Sequence, residues 1–229
     1  MNITPPPLTN PYVPPAAPPE PTTLLGRLLR TPQSLLLDEG VGLPARLFLL
    51  GLAGTVIYGL VLGSFSGGDQ LWAAPLKLTL GLLLALFLCT PSLFVFATLA
   101  GAHIEPRQLL TLLGGLLGLA GLLLASLGPV GWVFSQSTQS AAFIGSLHWI
   151  FWLVSAGFGL RLVSRGLRVL GARSGGAFGV WAIIFLLVCF QMATTVRPLL
   201  GPSPTLLTAE KKSFLTHWNE TLTESPARK

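Results

Sequence analysis

Few residues of this chain have side chains able to do chemistry in an apolar setting: His148, Ser146, Lys77, Cys89 and Cys189. A histidine acts as a base, a proton relay or a haem ligand only with a partner. Ser146 lies two positions from His148, and on a helix such residues point apart, so they do not form a nucleophile–base pair. His103 and His217 fall in a connection and a tail assigned below to opposite sides of the membrane, far from His148. Cys89 and Cys189 sit in apolar runs and read as small hydrophobes, with neither a disulfide nor a metal site indicated. The sequence has no HExxH, no GxSxG turn, no phosphate-binding loop with its lysine and no paired intramembrane aspartates, which argues against a standard hydrolase or pump. No catalytic residue, cofactor or metal ligand is therefore assigned. His148, beside Trp149 and Trp152, is expected to be a hydrogen-bonding histidine at the level of an aromatic belt.

The elements that must position these residues follow from composition. Of 229 residues, 51% are apolar and only 10% charged, too few charges to keep a soluble fold of this size wet. Uncharged stretches of 22, 53 and 23 residues follow Arg46, Arg107 and Arg173, and a membrane-spanning helix needs about 20. The runs are continuous rather than alternating, so helices are expected and not a barrel. The fold class is an all-α polytopic membrane bundle of about five spans, near 47–65, 74–99, 109–127, 142–160 and 178–196, within a domain of residues 46–197. The polar segment from Ser135 to Ser140 divides the long stretch between the third and fourth spans.

Arginines orient the bundle. Arg27, Arg30 and Arg46 precede the first span, Arg107 separates the second and third, and Arg161, Arg165, Arg168 and Arg173 crowd the fourth connection. The positive-inside rule puts these and the N-terminus in the cytoplasm and the C-terminus outside. Residues 1–23 are proline-rich and read as a disordered cytoplasmic tail rather than a cleavable signal. Residues 24–45 read as an interfacial amphipathic segment, with leucines 24, 25, 28 and 29 beside Arg27 and Arg30 and an interruption at Pro32. Residues 198–229 form an outer tail whose segment 208–222, with Phe214 and Trp218 on one side, would rest on lipid or on a partner's helix.

Lys77 is the only charge within an expected span; near its outer end, its stem can snorkel toward headgroups or Asp69, or it can contact a ligand or lipid. The four arginines from Arg161 to Arg173 would continue the fourth helix before a turn at Gly171 to Gly176 and contact lipid or a partner; nucleic acid is not implied. Gly59 with Gly63 and Gly114 with Gly118 are small-xxx-small pairs suited to close helix packing, within one protomer or across a dimer. Pro91, between Thr90 and Ser92, should kink the second span, with both hydroxyls available to freed carbonyls.

The approach segment from Leu24 to Pro32, the region from Gly40 to Gly67 containing Tyr58-Gly59-Leu60-Val61-Leu62-Gly63, and five closely spaced spans together resemble the Yip1 family of small five-span membrane proteins, particularly its bacterial relatives. The resemblance covers roughly residues 24–200; the proline-rich start and the tail depart from it. It implies membrane organisation, trafficking or partner assembly without an enzyme reaction. The expected function is a nonenzymatic scaffold or adaptor in a bacterial inner membrane, whose partners are lipids and another membrane protein or a second copy. The alternative is a small-solute transporter or channel component, which requires Lys77, Thr90 and Pro91 to line a common polar route.

Overall fold

In lipid, a backbone without water must satisfy its own hydrogen bonds, and uncharged leucine-rich runs do so by closing i to i−4 ladders. A computed structural model of the chain describes residues 23–195 except Glu39, Val41, Gly67, Asp69, Gln139 and Ser174. The tail before Thr23 and the segment 198–229, with Phe214 and Trp218, lie outside the described residues. Among the described residues all regular structure is helical: α1 (Leu24–Arg30), a 3-10 turn (Pro32–Leu35), α2 (Leu43–Ser66), α3 (Gln70–Leu99), α4 (Pro106–Ser137), α5 (Ala141–Val169) and α6 (Gly176–Thr195). Helices α2 to α5 are long and apolar enough to cross a membrane, and α6 is a shorter apolar helix. At 20 residues, α6 measures about 30 Å, close to the hydrocarbon thickness. The chain is an all-α polytopic membrane bundle.

One helix runs well past its expected end, and another ends where its glycine turn was expected. Helix α4 continues about ten residues beyond Leu127, because the hydroxyls of Ser135 and Ser137 donate to Trp132 O at 2.6 Å and Val133 O at 2.9 Å in their own helix. The polar segment therefore stays helical until Thr138. Ser140 then caps α5, accepting from Phe143 N at 3.3 Å. Helix α5 carries its arginines on to Val169 and ends at Gly171, whose φ of +98° suits a residue without a side chain.

The approach segment is also built differently from a helix lying wholly in the interface. Thr23 belongs to it as the cap of α1, accepting from Gly26 N at 3.2 Å. Pro32 ends the helix and opens the 3-10 turn. Leu28, Leu35 and Leu36 are buried in the main core, while Leu25 and Leu29 face outward. The segment thus docks onto the bundle, presenting only part of its apolar surface to the surroundings.

Helix α4 is the most enclosed, and its tightest neighbour is α2. A Cβ on Gly51 would come within 2.6 Å of the Leu117 carbonyl. One on Gly54 would collide with the backbone of Gly121, and one on Gly121 with the carbonyl of Gly51. Helix α3 packs on α2 and α6, and α5 packs on α4. Helix α6 meets α5 through Phe190, which lies 4.8 Å from Trp149 and 5.5 Å from Trp152 between ring centroids.

At the end rich in arginine, two connections are tied together. His103 N donates to Leu170 O at 2.9 Å and Arg173 N to Ala100 O at 2.8 Å. Both turns use a glycine in the left-handed region, Gly101 at φ +88° and Gly171 at φ +98°. The α3–α4 and α5–α6 connections therefore form one clasp.

The seam sets the first expected outcome. Gly121→Val must push backbone against backbone and should cost about 1–3 kcal/mol as overpacking. Gly179→Ala, where an added Cβ meets nothing within 4 Å, should leave the thermal midpoint of detergent-solubilised protein unchanged.

Candidate functional site

The arginines of the basic end divide into two kinds. Arg27 is engaged by its own segment: it pairs with Asp38 at 2.6 Å and donates to Ser34 O at 2.9 Å. Arg107 reaches from α4 to Asp38 O at 2.6 Å and Gly40 O at 3.0 Å. These two residues latch the approach segment onto the bundle. In contrast, Arg161, Arg165, Arg168 and Arg173 are exposed, and none forms an ion pair among the described residues. The opposite face of the same turns is pinned, with Leu162, Val163 and Leu167 buried.

The Arg27 guanidinium beside Asp38, followed by the Gly40 N–H, holds the Asp38 carboxyl below its ordinary value. A carboxyl lowered on folding stabilises the latch above its unfolded pKa and loses that contribution as pH falls through the lower folded value. The thermal midpoint should therefore fall below about pH 4, and Asp38→Asn should remove that part of the acid dependence.

Toward the other end, α2 and α5 bring together a pair separated by 90 residues: Tyr58 Oη and His148 Nδ1 lie 2.5 Å apart. Both are buried, at 2% and 8% exposure. Phe151 stands edge-on to the imidazole, and Gly131 of α4 lies beside it, with space for the ring where a Cβ would approach Cε1 to 3.4 Å. His148 is thus a buried interhelical residue rather than one displayed in an interfacial belt. A phenol buried with this single partner is best satisfied by donating to Nδ1, which leaves the imidazole hydrogen on Nε2. Among the described residues Nε2 has no hydrogen-bond partner, nor has Ser155 Oγ two turns further along α5. Close by, Thr55 is fully buried, its hydroxyl donating to Leu52 O at 3.0 Å and lying 3.4 Å from Thr79 Oγ1.

Lys77 is buried too, with 5% exposure, so its side chain is enclosed by protein instead of laid out along lipid. Pro91 sits inside α3, which continues through it. Thr90 Oγ1 donates to Leu86 O at 2.7 Å and Ser92 Oγ to Cys89 O at 2.9 Å; neither is the carbonyl of Phe87, four positions before Pro91, which is the one its missing N–H leaves free. Trp181 of α6 adds a bond from its indole N–H to Cys89 O at 3.1 Å and lies 3.2 Å from Ser92 Oγ. An open groove of about 630 Å³ runs beside Pro91, lined by Phe48, Leu84, Phe87, Thr90, Leu110 and Leu113 among others. Lys77 is not part of its wall. It lies 14 positions from Pro91 along α3, about 21 Å.

The predicted packing glycines all lie inside the protomer. Gly59 abuts Pro75 of α3, Gly114 lies against Leu47, Phe48 and Pro44 of α2, Gly118 faces the Leu47 carbonyl, and Gly63 is buried. The two cysteines are free. Comparison with protein-family models, curated proteins and solved structures finds no match to this chain.

The Tyr58–His148 bond can be weighed by a double-mutant cycle. Interhelical hydrogen bonds in membranes average about 0.6 kcal/mol and reach about 1.7. Tyr58→Phe should destabilise the solubilised protein by that order, since it strips the imidazole of its remaining partner. Tyr58→Phe combined with His148→Leu should recover part of the loss, which unfolding in graded denaturing detergent would read.

Proposed function

We propose that this chain is a nonenzymatic integral membrane scaffold or adaptor that organises membrane or assembles partners, with its basic end and N-terminus in the cytoplasm of a bacterial cell. The reading agrees with the resemblance to the Yip1 family stated above. Its main support is the interior toward the basic end, where Leu47, Leu112, Leu113, Leu116 and Leu117 are each at most 1% exposed and lie along the glycine-seamed contact of α2 and α4. Such an interior offers a solute little polar surface, and in this reading activity belongs to the outer faces and ends. The tail segment 208–222 is the surface through which a partner would be held, and the arginines of the fourth connection are a surface for lipid or a partner.

A small-solute transporter is the second reading, favoured by one observation: the unpartnered Nε2 of His148 beside Tyr58 in the other half of the bundle. An alternating route would have to open the leucine layers.

Crosslinking in native membranes, followed by mild-detergent purification and mass spectrometry, tests the first reading. The expected result is a reproducible protein partner at fixed stoichiometry, lost on deleting 208–222. Recovery of the lone chain or a homo-oligomer only would sink the fixed-partner version, and uptake assays on His148→Leu vesicles would then decide for or against transport.

A further inference from the structure

One face of α5 changes character along its length. Ile150, Val154 and Phe158 are exposed by 56%, 47% and 49%. Continuing at the same helical spacing come Arg161, Arg165 and Arg168, all exposed. Steps of three and four residues keep all six on a single stripe. Arg161 lies 20 positions after Ala141, the first residue of the helix, about 30 Å along the axis. That is the thickness of a hydrocarbon core, so an α5 starting at one boundary presents Arg161 at the other. Arg168 lies seven positions further, about 10.5 Å, within reach of the headgroup layer through its long side chain.

We infer that this stripe is a docking face for an anionic phospholipid of the same leaflet, its acyl chain along Ile150, Val154 and Phe158 and its phosphate among Arg161, Arg165 and Arg168. Charge complementarity selects the occupant. The described residues hold two carboxylates, Asp38 and Glu105. Asp38 is paired with Arg27, and among the described residues no ion pair reaches the stripe. Guanidinium forks bind phosphate oxygens in a bidentate way and shed water more readily than an ammonium does. Gly157 precedes Arg161 by one turn, and a Cβ there would meet nothing within 4 Å, which leaves a notch where a chain can lie against the helix. Burial of Leu162, Val163 and Leu167 on the opposite side fixes the rotation of the helix, so the stripe cannot turn inward. This assignment goes beyond the scaffold reading and does not depend on a protein partner.

The test uses full-length purified protein without partners, and native mass spectrometry of lipid retained from mixed micelles of phosphatidylglycerol and phosphatidylcholine. A charge near an anionic surface confers roughly a fivefold preference. Replacing Arg161, Arg165 and Arg168 together by glutamine should therefore reduce retained phosphatidylglycerol by at least tenfold relative to phosphatidylcholine. The triple lysine variant should keep part of the preference, and Arg30→Gln with Arg46→Gln should keep nearly all of it. Inorganic phosphate should not displace the lipid at concentrations that leave ionic strength unchanged. An undiminished preference in the glutamine variant, an equal loss in the Arg30 and Arg46 variant, or complete displacement by phosphate would each overturn the assignment. So would a crosslinked acidic protein segment on the stripe in membranes where the retained lipid does not respond to the arginines. Matching elution volume and thermal midpoint of the variants guards against misfolding, and a missing partner in native membranes bears only on the scaffold reading.

Discussion

The contact on which the bundle depends is the backbone approach of α2 to α4 at Gly51, Gly54 and Gly121. Between helices in lipid there is no hydrophobic driving force, because leucine side chains and acyl tails are equally apolar; association rests on van der Waals contact and on the bonds that close approach permits. With backbone facing backbone, α4 becomes the enclosed helix, and the remaining spans have two surfaces to pack against. Helix α5 takes the α4 side and α3 the α2 side. Helix α3 scarcely touches α4, and the apolar groove beside Pro91 lies between these two helices and Phe48 of α2.

Polar groups inside such a bundle must find partners nearby, and most turn back on their own helix. Thr55, Thr90, Thr111 and Ser135 each donate to a carbonyl three or four residues earlier. That local solution costs little in interhelical specificity and lets polar residues pass unnoticed through an apolar core. Others join different helices, as Thr55 with Thr79 does, and two of these reach α5 and α6: Tyr58 to His148, and the Trp181 indole to the proline site of α3. The first ties α5 to α2 across the bundle, while the second holds α6 against the place where Pro91 removes a backbone donor. Together they add polar ties to the packing of α5 on the bundle and of α6 on α3.

Much of the fold was legible because its cause is compositional. Uncharged runs of spanning length give helices whatever their neighbours are, so the number and order of apolar helices follow from the chain itself. Ends were harder to place: Ser135 and Ser137 look like loop residues in sequence, yet their hydroxyls are absorbed by the preceding turn. The proline site was half readable, since Thr90 and Ser92 are local to Pro91, whereas Trp181 is 90 residues away from it along the chain. The same limit hid Tyr58 as the partner of His148. Which face of α2 meets which face of α5 is set by helix rotation and depth, and neither is written in the spacing within one run. Lys77 shows the converse, because its place near a helix end suggested an outward stem while packing enclosed it.

The arginines make the sharpest case for reading charge through structure. A topology rule weighs Arg27, Arg107 and Arg161 alike, each as one positive charge near a membrane end. Their surroundings separate them. Arg27 and Arg107 hold Asp38, Ser34 and Gly40, so their donors are largely occupied in joining the approach segment to the bundle. Arg161, Arg165 and Arg168 stand on a helix face whose reverse side is buried, and the chain just beyond them is clasped to the α3–α4 connection. Guanidinium groups carried on a fixed backbone lose less freedom on binding than those on a loop, so an anion meeting them encounters a partly organised site. Charges that already have partners shape the fold, and charges left without them on a rigid face are the ones available for recognition.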